Sequence, residues 1–274
     1  MACFAAHRVW IGIGLAAVIV TLAVRAEEPV SPLRRAEMLL SEGRLDAAQA
    51  LFTRILDEGG PRVPAIRGLA RVAWRAGDLP RSVREYTNAL SLAPNDARLH
   101  DEIGRVYSDL RQHAQAAKHL AEATRLDPKN ASYWRDYGRI LWRGERYPDA
   151  IAAYQRAIAL RPNDAEAYRG LGDTYLRIAD LDAAIASYDA AIERTPNDVA
   201  AHTGRGAALT KKGDFDAAIE SLMTAITLDE SYGPAYYELG LALQHAKQHE
   251  RAIVAFGYAA KLIPGDPSPF ANMA

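Results

Sequence analysis

The sequence predicts an all-α protein built from seven stacked helix-turn-helix units. Three observations carry that expectation. Pro94, Pro128, Pro162, Pro196 and Pro264 fall on a lattice of 34 residues, with Glu230 in the one slot between them that lacks a proline. Small and large side chains keep the same step, and no insertion or deletion breaks the phase. Each period also holds two apolar stretches at helical spacing. Counted from Pro29, the units are 29–62, 63–96, 97–130, 131–164, 165–198, 199–232 and 233–266.

The first helix of each unit is expected over about positions 2 to 14. Its eighth residue is always small: Ala36, Ala70, Gly104, Gly138, Gly172, Gly206 and Gly240. A turn follows, marked by Gly43, Gly77, Gly144 and Gly213. The second helix is expected over about positions 18 to 31. Its twentieth residue is small (Ala48, Ser82, Ala116, Ala150, Ala184, Ala218, Ala252), as is the twenty-seventh in all but the first unit. The twenty-fourth is large: Phe52, Tyr86, Leu120, Tyr154, Tyr188, Leu222 and Phe256. Small residues where helices cross let the backbones approach, and the large side chain fills the space beside them. Proline at position 32 disfavours helix in the residue before it, so the second helix stops there. Asn or Asp follows, as at Asp96, Asn130, Asp164 and Asp198, placed to cap the next helix. A lone helix pair cannot bury its apolar face, so neighbours must stack.

Ahead of the repeats, His7 and Arg8 precede an uncharged, mostly apolar run from Val9 to Val24, followed by Arg25, Ala26 and Glu27-Glu28. With Val24 and Ala26 as small residues at −3 and −1, residues 1–26 read as a secretory signal peptide cleaved after Ala26. The alternative is a retained N-terminal membrane anchor. A sixteen-residue run rises about 24 Å as a helix, short of a hydrocarbon core of roughly 30 Å. Cleavage would remove Arg8, Arg25 and Cys3, leaving a cysteine-free chain of 31 basic and 34 acidic residues. The whole chain has a formal net charge of −1, which argues against a chain-wide nucleic-acid binder. A single cysteine excludes a disulfide scaffold and a Cys-based zinc site.

The pattern resembles the tetratricopeptide repeat. Unit 165–198 carries it most fully, through Tyr168, Leu171, Gly172, Tyr175, Ala184, Tyr188, Ala191 and Pro196. Departures are local: Arg35 and Arg205 stand at the usually apolar seventh position, and Pro32 at the usually aromatic fourth. The resemblance implies a right-handed α-solenoid whose first helices line a concave groove. It also implies that the groove holds an extended peptide or a partner helix. Residues 267–274 form a short tail with no room for a polar capping helix. The last helix, with Ala252, Phe256, Ala259 and Leu262, is therefore expected to offer an apolar face. That face reads either as a seam for a second copy or partner, or as one covered by Phe270 and the tail.

No catalytic signature stands in the chain: no Gly-rich phosphate loop, no Gly-x-Ser-x-Gly, no His-Glu-x-x-His. The expectation is a non-enzyme with no cofactor and no metal. His245 and His249 are four apart, but with no third ligand nearby they read as solvated. His100, His113, His119 and His202 are scattered over different repeat positions.

The groove is where binding is expected. The resemblance puts positions 2, 5, 9, 12 and 13 on the concave face, and helical spacing alone puts 5, 9, 12 and 13 on one stripe. In units two to five these positions hold ten arginines: Arg67, Arg71, Arg75, Arg98, Arg105, Arg135, Arg139, Arg143, Arg169 and Arg177. They hold four acids, Asp101, Asp109, Glu166 and Asp173, an excess of six positive charges. Trp74 and Trp142 share position 12. Arginine forks and indole faces suit an acidic peptide, a free C-terminal carboxylate or an anionic polysaccharide. The competing reading is a face of arginines paired with acids on their own and neighbouring helices. The leading functional expectation is a non-catalytic scaffold outside the cytoplasm, in the bacterial periplasm, with a protein partner and no nucleic acid. The alternative is a module for an acidic polysaccharide.

Overall fold

The computed structural model describes residues 31–265 and 268–272. The leader over 1–26 lies outside the described residues, as does the side chain of Phe270. Fourteen helices form seven pairs: α1 (Pro32–Ser41) and α2 (Leu45–Asp57); α3 (Arg62–Arg75) and α4 (Leu79–Leu92); α5 (Ala97–Asp109) and α6 (His113–Leu126); α7 (Ala131–Arg143) and α8 (Tyr147–Leu160); α9 (Ala165–Arg177) and α10 (Leu181–Arg194); α11 (Val199–Lys212) and α12 (Phe215–Leu228); α13 (Gly233–His245) and α14 (His249–Leu262). A single turn, α15 (Ser268–Ala271), packs on α14. No strand occurs among the described residues.

The starts follow from local chemistry. Asp96, Asn130, Asp164 and Asp198 each accept a backbone N–H from the first turn of α5, α7, α9 and α11. Asp78, Asp180 and Asp214 do the same for α4, α10 and α12. Such caps satisfy amides that have no partner within the helix.

The turn between paired helices needs one residue with positive φ at the fifteenth position. Gly43, Gly77 and Gly213 supply it, but in four units the residue is Arg111, Glu145, Ala179 or Lys247, with φ of 57–61°. Gly144 therefore lies one residue ahead of the left-handed position, and Glu145 adopts it instead. A left-handed L-residue costs about 1–2 kcal/mol, against about 0.4–1 kcal/mol for the extra freedom of glycine in the unfolded chain. Ala179→Gly is expected to raise stability by about 0.5–1 kcal/mol. A lower urea midpoint in the variant would show that Ala179 holds the turn by contacts rather than bearing strain.

The core is a run of clusters strung along the stack. Each large residue at position 24 meets the small residue at position 8 of its own unit. A Cβ added at Gly172 would come within 2.9 Å of the Tyr188 ring. The same rings also press on the following unit, at its sixth residue: Phe52 on Gly68, Tyr154 on Gly170 and Tyr188 on Gly204. Phe52, Tyr86, Tyr188 and Phe256 are fully buried.

Successive first helices pack on one another, as α7 on α9, α9 on α11 and α11 on α13. Successive second helices do not pack this closely, so the stack bends with first helices inward, and these line the groove. At the C-terminal end the expected apolar face takes a different form. Ala252, Phe256 and Ala259 are buried within the last pair. Of the four residues named for that face only Leu262 is exposed, joined by Ile253, Val254 and Tyr258. Position 21 explains Ile253: its equivalents Ile151, Ile185 and Ile219 are half-covered beside the following unit, and among the described residues no further helix pair stands beside α14.

Candidate functional site

The groove arginines come from positions 2, 5, 9 and 13 of α3, α5, α7 and α9. Seven meet carboxylates. Arg67 lies 3.1 Å from Glu102, both side chains only 12% exposed, and Arg98 adds a second guanidinium at 3.4 Å. Arg71 is loosely opposite Glu37 at 3.9 Å. Arg105 bridges Asp101 at 3.0 Å and Asp136 at 2.5 Å. Arg139 reaches Asp136 at 3.0 Å and Glu166 at 3.6 Å. Arg135 reaches Asp164 at 3.1 Å and Glu166 at 3.3 Å, and Arg169 reaches Asp198 at 3.2 Å.

Three arginines use other acceptors. All stand at position 13 and reach back to the preceding unit. Arg75 donates to the Leu40 carbonyl, Arg143 to the Ser108 hydroxyl at 2.7 Å, and Arg177 to the Tyr147 hydroxyl at 3.5 Å. The two indoles are packed on their own units, with one edge facing the groove. Trp74 Nε1 donates to Asp109 at 2.7 Å. Trp142 Nε1 is buried and has no hydrogen-bond partner among the described residues.

This geometry corrects the charge count. Glu102 and Asp136 at position 6, and Asp164 and Asp198 at position 34, also meet the groove arginines, as does Glu37 from the first pair. With the four acids already counted, nine carboxylates stand among the ten arginines, so the surface is close to neutral. Asp136, only 2% exposed, is the hub, with Arg105, Arg139 and Arg135 around it.

Burial pushes the Asp101 carboxyl up to about 7, with Arg105 opposing and repulsion from Asp136 and Glu102 adding to the rise. Burial also raises Asp173, opposed by the hydrogen bond from the Tyr188 hydroxyl and by Arg169. A carboxyl raised in the folded state contributes stability that is fully present below its unfolded value and is lost as pH rises through the folded value. Asp101→Asn is therefore expected to flatten the fall in stability between about pH 4 and pH 8. A slope equal to the parent's would show that Asp101 titrates normally.

Arg143 is the centre of the free space. It lines three cavities. One of about 160 Å³ is shared with Trp142, Arg139 and Asp173; one of about 280 Å³ with Trp74, Ser108 and Arg139; one of about 380 Å³ with Asp109, Arg111 and His113. No carboxylate lies within ion-pair distance of it among the described residues.

Two histidines that are nineteen apart in sequence meet here. His100 and His119 bring their Nδ1 atoms within 3.1 Å, and His119 stacks on Tyr107. Burial holds His119 down at about 4, helped by His100 and Lys118. Helix-face periodicity could have found the pair, since positions 4 and 23 face each other within a unit. His245 stacks on Phe215, and His249 opens α14. No group of three or more His, Cys, Asp or Glu among the described residues is arranged to hold a metal ion.

The family model of the tetratricopeptide repeat matches residues 102–165, 169–232 and 211–267, and a second model of the same repeat matches 39–101. The chain belongs to the tetratricopeptide-repeat family. Its architecture is that of a protein-interaction scaffold. Among solved structures, YrrB, described as a TPR protein with an unusual peptide-binding site, is 19% identical. It superposes with a TM-score of 0.54 over 68% of this chain and 96% of its own. A tetratricopeptide repeat protein from Parabacteroides merdae is 16% identical, with a TM-score of 0.70 over 88% of this chain and 96% of its own. PilW, described as a widely conserved type IV pilus biogenesis factor, is 15% identical, with a TM-score of 0.70 over 77% of this chain and 98% of its own. At these identities the likeness is one of fold. No curated protein matches the chain. Among the described residues no helix is long and apolar enough to cross a membrane.

Proposed function

We propose that the chain is a non-catalytic scaffold whose concave groove holds an extended partner segment through a carboxylate seated on Arg143 and Trp142. One observation carries this reading: Arg143 stands at the junction of three cavities and, among the described residues, no carboxylate lies within ion-pair distance of it, although Asp173, Glu166 and Asp109 line those cavities, and the neighbouring Trp142 N–H has no acceptor among the same residues. A carboxylate entering the smallest cavity would satisfy both donors. Seven of the remaining arginines position the site rather than attract ligand, because their charge is met by their own acids, while Arg75 and Arg177 are held by the Leu40 carbonyl and the Tyr147 hydroxyl. That matching disfavours a polysaccharide of repeated negative charge, which needs a surface of one sign. The peptide-binding site named for YrrB supports a protein partner in the same kind of fold. The leader-like residues 1–26 and the likeness to PilW support a place in the cell envelope, outside the cytoplasm.

Fluorescence anisotropy with a labelled acidic hexapeptide tests the site. Charge-assisted hydrogen bonds contribute about 1.5–3 kcal/mol, so Arg143→Glu is expected to weaken binding by about 10- to 100-fold. Trp142→Phe, which keeps the ring and removes the donor, is expected to weaken it about threefold to tenfold. Equal affinity in all three proteins would end this reading. A parallel pull-down from an envelope extract of the native host, with parent and Arg143→Glu baits, would name the partner.

A further inference from the structure

The outer face of the stack carries a second cleft, remote in role from the groove. It lies between α6 and the turn joining α7 to α8, and α7 forms its floor. Its volume is about 450 Å³. The cause is a departure from the repeat. Position 21 holds Val83, Ile151, Ile185 or Ile219 in units two, four, five and six, each half-buried against its neighbours. In the third unit it holds Ala117, and the missing branched side chain leaves the gap unfilled. Ala121, one turn on, is also too short to close it. Tyr137 of α7 lies half-buried below the gap, with Ile140 and Leu141 buried beneath it.

The rim has one sign. Lys118 stands on it with no ion pair among the described residues, and His113 presents a buried Nδ1 without a partner. Arg146, also on the rim, is neutralised by Asp149 at 2.6 Å. The cleft thus joins an apolar floor to an uncompensated cation. Its volume falls in the range of about 300–1,000 Å³ that small-molecule sites occupy.

We propose that this cleft binds a small amphiphilic anion, an aryl or short acyl body carrying one carboxylate or sulfonate. The body lies against Tyr137 and the methyl groups of Ala114, Ala117 and Ala121, and the anionic head faces Lys118. The volume suits a free small molecule rather than a length of polypeptide. The inference uses no groove arginine, although His113 and Ile140 also line cavities beside Arg143.

The test is a titration of the full-length chain with naphthalene-2-sulfonate, following the Ile140 δ1-methyl resonance. A saturable shift is expected. Ala117→Ile fills the gap with the residue four other units carry, and is expected to lower affinity by about tenfold or more while leaving the circular dichroism unchanged. Lys118→Glu is expected to lower it about fivefold, and Arg143→Glu to leave it unchanged. The proposal is overturned if Ile140 does not shift, or if Ala117→Ile binds as the parent does. Equal binding of uncharged naphthalene would remove the role of the rim. Tighter binding of a peptide ending in phenylalanine would assign the cleft to a protein partner instead.

Discussion

Truncating Tyr188 to alanine is expected to remove about 4 kcal/mol of stability, a large part of what a chain of this size has to spare. The ring is fully buried and belongs to two units at once, touching Gly172 behind it and Gly204 ahead. Neither glycine has a side chain that can move into the space, so the cavity would stay open on both sides of the seam. The loss also has a polar part. The Tyr188 hydroxyl donates to Asp173 Oδ1 at 2.7 Å, and without it a buried carboxylate keeps only the more distant help of Arg169. Tyr188→Phe separates the two parts and is expected to cost about 1–3 kcal/mol. Urea unfolding followed by circular dichroism reads both. A loss below about 1.5 kcal/mol for the alanine variant would mean that the seam closes around the deletion.

Asp136→Ala is expected to act in opposite directions on stability and on binding. Removing one partner of a buried ion pair costs about 3–5 kcal/mol where both charges are sequestered. Here the Arg105 and Arg139 side chains are 37% and 40% exposed, and water screens what remains, so the expected cost is about 2 kcal/mol. The same change leaves two guanidiniums without their main acid, directly beside Arg143. Affinity for the acidic hexapeptide is therefore expected to rise about fivefold at low salt and to fall back as salt is added. Unchanged affinity would show that the groove's charge does not reach the ligand. Such a trade, in which acids hold the arginines in place at the expense of their attraction, is what a partner-selective surface requires.

The fold was legible because its signal is periodic. The alternation of Gly172 with Tyr188, repeated down the chain, fixes which helices cross and where, and the caps at Asp96, Asn130, Asp164 and Asp198 fix where helices begin. The site was legible only in part. The arginines and indoles lie on the groove positions, as do some of their partners, Asp101, Asp109 and Glu166. Glu102 and Asp136 stand at position 6, at the edge of that stripe beside position 13 and outside the positions counted. In the stack that position meets an arginine of the preceding unit, Arg67 at Glu102 and Arg105 at Asp136, as well as arginines of its own helix. Asp164 was readable as a cap, and it does cap α9 through the Ala167 N–H while also holding Arg135. A residue with two tasks shows only one of them in a sequence. The meeting of His100 with His119 joins positions 4 and 23, which face each other within a unit, and it was hidden only because the two histidines stand nineteen residues apart in sequence.

The rings that join one unit to the next also set rules for rearranging the chain. Where the sixth residue of a unit is glycine, as at Gly68, Gly170 and Gly204, the unit before it ends its seam in an aromatic ring. Where it is acidic, the preceding seam residue is the shorter Leu120 before Asp136 and Leu222 before Glu238, but the ring of Tyr86 before Glu102. Each unit thus has a leading edge and a trailing edge, and not every trailing edge accepts every leading one. Unit 165–198 carries glycine at its front and tyrosine at its back, so it is compatible with itself and can be copied in tandem to lengthen the stack. Unit 131–164 presents Asp136 in front and Tyr154 behind, so a second copy would set a ring beside a carboxylate, as Tyr86 and Glu102 already stand, but with the shorter side chain of aspartate. Excising 165–198 sets Tyr154 against Gly204, a permitted join, whereas excising 131–164 sets Leu120 against Gly170 and leaves a hole. The array can shrink more readily by losing 165–198 than by losing 131–164.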